Sequence, residues 1–168
     1  IVGAGVASQL LPKIGPRPLM VFGMLLATGG ILLLSRITPT SGYSSHLLAP
    51  MLIMSFGLAL YFIPNASTGL HDAGEHDTGV ASAMINTSQQ IGGSLGAALL
   101  NTIAISSAAA YKLGHASLGS KAGTYAAVHG FTTTFKWGAG FLFACAVVSA
   151  IMINVGKDSL VEHDLEAV

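Results

Sequence analysis

Four stretches of this chain carry no Asp, Glu, Lys or Arg: residues 18–35, 47–70, 79–111 and 137–156. A run of about 18 apolar residues or more is long enough to cross the hydrocarbon core as a helix. A helix also closes every backbone hydrogen bond within its own segment, as lipid requires. The pattern predicts an all-α, polytopic transmembrane helix bundle with spans over residues 18–35, 47–68, 79–108 and 137–156. A shorter apolar run, residues 1–11, covers about half a bilayer at about 1.5 Å per residue. It has neither an initiator Met nor the basic start of a signal peptide. It reads as the partial end of a preceding span, and the chain as the C-terminal piece of a larger protein.

Polar punctuation sets the connections. Pro12, Gly15, Pro16 and Pro18 predict that the first helix stops at Pro12 and the next starts at Pro18. Residues 36–46 read as a loop with Tyr43 as an interfacial aromatic, and Pro64-Asn65 as a kink or end of the second span. Residues 71–78 form a short acidic connection in which Asp77 or Thr78 can cap the following helix. Residues 112–136 read as a long polar loop, with Phe131, Phe135 and Trp137 as an aromatic belt before the last span. The membrane region thus covers residues 1–156, and residues 157–168 form an acidic, solvated tail.

Composition narrows the function. Charged residues make up 8% of the chain and hydrophobic ones 52%, whereas a soluble domain carries about a quarter charged residues. Seven basic residues balance seven acidic ones, so no net field points to nucleic acid or an anionic surface. The single cysteine, Cys145, lies mid-span and behaves as a small hydrophobe. The mixed cluster His71, Asp72, Glu75, His76 and Asp77 matches no helical zinc spacing and reads as a solvated loop, so no metal is expected. No nucleophile–base set or phosphate-cradling loop is present, so neither a catalytic residue nor a cofactor is expected.

The third span, GVASAMINTSQQIGGSLGAALLNTIAI, carries the candidate chemistry. Ser88, Gly92 and Gly96 recur every four residues and strip one helix face of bulk, so that a neighbour can approach. The adjoining row holds Gln89, Gly93 and Asn101, with Asn86 one turn earlier. Amides are costly against lipid and should face protein or a water-filled cavity. Asn65, Asn86, Gln89, Gln90 and Asn101 therefore either bond helices together, worth about 0.6 kcal/mol each, or line a solute path. No ionisable side chain falls within the core of a predicted span, so any proton carrier is expected elsewhere.

Two segments resemble the major facilitator superfamily, most closely its fourteen-helix drug:proton antiporter branch. The turn Leu11-Pro12-Lys13-Ile14-Gly15-Pro16-Arg17-Pro18 is similar to the second-half copy of that family's cytoplasmic gating motif, without the motif's usual aspartate near Gln9. Asp77-Thr78-Gly79-Val80-Ala81-Ser82, continuing through Asn86, Gln89, Gln90, Gly92, Gly93 and Gly96, resembles the start of its penultimate helix. The resemblance implies helices ten to fourteen of a bacterial, multi-pass cell-membrane carrier. It implies small hydrophobic solutes and protons as partners, missing N-terminal helices to pack against, and a gate turn built on Lys13, Gly15 and Arg17. It also puts that turn, the acidic connection and the tail on the cytoplasmic side. The alternative is a free-standing small multi-pass membrane protein with a structural or assembly role.

Overall fold

A computed structural model describes residues 2–70 and 77–153. Five α-helices follow one another: α1 (Val2–Ile14), α2 (Pro16–Leu34), α3 (Ala49–Leu70), α4 (Thr78–Gly114) and α5 (Ala122–Met152). A π-helical turn, Ser44–Leu48, leads into α3, and a 3-10 turn, Ala116–Lys121, joins α4 to α5. No strand occurs among the described residues. Four segments are long and apolar enough to span a membrane: Pro16–Leu34, His46–Gly69, Thr78–Gly114 and Ala116–Met152.

Three sequence expectations need correction. Helix α1 does not stop at Pro12 but runs to Ile14. A proline removes only its own N–H, and the Gly15 N–H still donates to the Leu11 carbonyl at 2.9 Å. The break falls at Gly15, whose φ of 86° suits glycine, and α2 begins at Pro16 rather than Pro18. The predicted loop over 112–136 is almost wholly helical: α4 extends to Gly114, and α5 begins at Ala122. Its polarity concealed a spacing. Ala122, Ala126 and Gly130 are four residues apart and all buried, and at Gly130 α5 lies directly on Ala104 and Ala108 of α4. Helix α5 consequently contains His129 and Lys136, which precede the predicted span over 137–156.

Helices α2 and α3 pack most closely. A Cβ on Gly57 would lie 2.5 Å from the Gly23 carbonyl oxygen, and one on Gly23 would lie 2.6 Å from the Gly57 carbonyl oxygen. Only glycine at both positions lets the backbones approach so closely, and dispersion across such seams holds helices together where lipid removes the hydrophobic incentive. Gly30 sits against Met54 in the same way. Ala7, Leu19 and Leu60 form a fully buried cluster where α1, α2 and α3 meet, wrapped by Val6, Leu26, Phe56 and Ile63.

Two close approaches locate the ends of the bundle. The Arg17 guanidinium donates to the Ala150 carbonyl, which lies in the last turn of α5, where carbonyls lack helical partners. Towards the far end, a Cβ on Gly138 would lie 3.1 Å from Ile31 Cδ1. Lys136 is therefore level with the far end of α2, where a long stem can carry its ammonium to the interface. Helix α4 has 37 residues, about 55 Å at 1.5 Å per residue, against about 30 Å of hydrocarbon. The excess of α4 and α5 projects as a helical hairpin beyond the far end. There the Tyr111 ring stacks on His115 at 4.1 Å and on His129 at 4.7 Å.

Candidate functional site: a lateral cleft between α3 and α4

Helices α3 and α4 diverge. They meet near Gly69, where a Cβ would lie 2.7 Å from Ile85 Cδ1. Away from that point they enclose a cleft of about 770 Å³, floored by Met24 of α2 and by Leu142 and Cys145 of α5. Helix α3 contributes Leu58, Tyr61, Phe62, Asn65 and Gly69, spaced as one helix face. Helix α4 contributes Met84, Ile85, Ser88, Gln89, Gly92 and Gly93, again one face.

The cleft unites part of the predicted set. Asn65 and Gln89, from different helices, share it with Ser88, Gly92 and Gly93. Neither amide makes a side-chain hydrogen bond among the described residues. Their donors and acceptors therefore remain for water or solute. Asn86, Gln90 and Asn101 are exposed on α4 outside the lining, and Gly96 also lies outside it. A Cβ on Gly92, Gly93 or Gly96 would meet nothing within 4 Å, so no described helix packs on that stripe. Asp77 occupies the N-cap position of α4 without a side-chain cap bond. The acidic connection from His71 to His76 and the tail lie outside the described residues.

Sequence reasoning missed Tyr61, Phe62, Met24, Leu142 and Cys145. Tyr61 stands one helical turn before Asn65, and that spacing was the available signal. Tyr61 and Phe62 meet edge to face at 5.7 Å and 72°, which gives the cleft an aromatic rim. Several hydroxyls elsewhere in the spans return to their own helices and so do not mark a site. Thr28 donates to Met24 O at 2.7 Å, Thr102 to Ala98 O at 2.8 Å and Ser94 to Ile91 O at 2.9 Å. Among the described residues no group of three or more His, Cys, Asp or Glu side chains is placed to hold a metal.

At the Arg17 end, the predicted gate turn is compact. Lys13 lies in the last turn of α1, Gly15 is buried, and Arg17 reaches across to α5. A cation at a helix C-terminus meets the negative end of the helix dipole as well as a free carbonyl.

An all-α bundle of membrane-spanning helices with a cleft lined by amides, aromatics and apolar groups has the form of a multi-pass solute carrier. The chain belongs to the Major Facilitator Superfamily, whose sequence profile matches residues 1–97. It is 36% identical over 152 residues to the puromycin resistance protein of Streptomyces alboniger, covering 89% of this chain and 30% of that protein. It is 34% identical over 103 residues to the cephamycin export protein of Amycolatopsis lactamdurans, covering 61% of this chain and 21% of that protein. The tetracenomycin C resistance and export protein of Streptomyces glaucescens is 30% identical over 103 residues, with 61% of this chain and 19% of that protein covered. The chain therefore spans less than a third of the length of these relatives. Membership sets it among carrier proteins rather than enzymes.

Proposed function

We propose that this chain supplies one wall of the solute path in a bacterial, proton-coupled exporter of small hydrophobic compounds. The observation that carries the reading is the cleft itself, in which amides from two diverging helices face a common space without internal partners. Relatives named for resistance to, or export of, puromycin, cephamycin and tetracenomycin C support export of drug-like solutes. Family membership favours this reading over a structural or assembly role. In a mechanism of rocking bundles about a midplane site, the open stripe of Gly92, Gly93 and Gly96 would slide on helices of the other bundle. Lys13, Gly15 and Arg17 would form part of the cytoplasmic gate. Lys136 lies level with the far end of α2 and not mid-span, so the proton carrier is assigned to other helices of the full-length protein.

The test is Gly92→Leu in the full-length protein. The substitution meets no neighbour in this bundle, so membrane insertion and abundance should stay at the parent level. Efflux of a hydrophobic dye from cells should be abolished, because the side chain fills both the cleft and the proposed sliding surface. Undiminished efflux at equal abundance removes the assignment.

A further inference from the structure

We infer that the cleft selects uncharged, flat solutes bearing hydrogen-bonding groups and discriminates against permanent cations. The inference rests on the cleft being the solute site. Its polar inventory is wholly neutral: Asn65, Ser88, Gln89 and the Tyr61 hydroxyl, with Cys145 beside them. No Asp, Glu, Lys, Arg or His occurs in its described lining. A cation entering such a space leaves its hydration shell and finds no opposite charge on this wall to replace it, a loss that amide dipoles offset only in part.

A neutral solute faces no such deficit. Asn65 and Gln89 each present a carbonyl oxygen and an NH2 group, so together they can match donor and acceptor edges of a ketone, ester, amide or phenol. The Tyr61–Phe62 edge-to-face pair offers ring contact for a planar body. Met24 and Met84 stand on opposite elements of the lining, and unbranched thioethers adapt to different outlines. The space, about 770 Å³, falls within the range of about 300–1,000 Å³ usual for drug-sized ligands. The polar groups thus set the class of solute, and the soft groups leave its shape loosely specified.

The experiment compares two fluorescent probes on the purified full-length protein in lipid nanodiscs: Nile red, a neutral planar ketone, and ethidium, a permanent cation. Saturable Nile red binding is expected, with ethidium weaker by about tenfold or more. Met84→Trp, which fills the cleft, should weaken Nile red by about tenfold. Gln89→Glu should strengthen ethidium by about tenfold, since it places a carboxylate where none stood. Asn65→Asp gives an independent version of the same change, should Gln89→Glu fold poorly. If Met84→Trp and Gly92→Leu both leave Nile red binding intact, the cleft is not the solute site and the functional reading fails. If they abolish it while ethidium binds the parent as tightly as Nile red, the site stands and the neutral class is overturned. Failure of both acidic variants to gain ethidium binding also overturns it.

Discussion

The α2–α3 seam and the N-terminal half of α4 are built from the same kind of residue and have opposite surroundings. In the seam, Gly23 and Gly57 press backbone against backbone, and Ala27 is fully buried beside them. On α4, Gly92, Gly93 and Gly96 meet nothing within 4 Å, and no residue of the whole helix is buried. Small residues at four-residue spacing therefore do not declare their role. In one place they fasten two helices; in the other they border a cleft and a surface that remains uncovered. Amides mark the second case, since Gln89 accompanies the glycines of α4, whereas the one amide of α2 and α3, Asn65, faces the cleft and not the seam.

The contrast can be broken most severely at Gly57. Gly57→Leu forces a side chain into the Gly23 and Ala27 backbone, and should cost about 3 kcal/mol or more, the upper end for an overpacked core. The thermal midpoint of the protein in detergent, followed by circular dichroism, should fall sharply. A variant that melts with the parent would mean the seam is not rigid. A smaller loss is expected from Gly130→Ala, whose Cβ would lie 2.5 Å from the Ala104 carbonyl oxygen on the α4–α5 seam, at about 1–2 kcal/mol in the same melt. Arg17→Gln leaves the Ala150 carbonyl without its charged donor. It should cost about 1 kcal/mol, read as faster amide exchange in the last turn of α5, and unchanged protection there would deny the cap a role. Gly92→Ala should sit at the bottom of the series, within about 0.5 kcal/mol of the parent. A melt lowered as far as that of Gly130→Ala would show that something does pack on the α4 stripe.

The spans were legible because lipid leaves the sequence little freedom, and four uncharged runs could be read without knowing what they touch. The helical character of 112–136 was not. Polarity there suggested a loop, while the information lay in the four-residue recurrence of the buried Ala122, Ala126 and Gly130, the last of which lies against Ala104 and Ala108. The hinge was misplaced for a related reason. Pro12 looks like a stop, yet the chain turns at Gly15, where φ is positive.

The site was readable in part. Asn65 and Gln89 stood out because amides in lipid demand a reason, and the structure brings them into one cleft. Tyr61, Met24 and Leu142 did not stand out, because an aromatic or apolar residue in a span is unremarked until the tilt between α3 and α4 decides which faces look inward. The same dependence removed Asn86, Gln90 and Asn101 from the lining, although they lie on the same helix as Gln89.

The Arg17 to Ala150 bond joins residues 133 positions apart. A nascent chain emerging from the ribosome delivers α2 long before it delivers the end of α5. Until that last turn arrives, the guanidinium lacks the Ala150 carbonyl, and α1, α2 and α3 are held by the glycine seam and the Ala7, Leu19 and Leu60 cluster. The Arg17 contact at this end of the bundle can therefore form only once synthesis has passed residue 150.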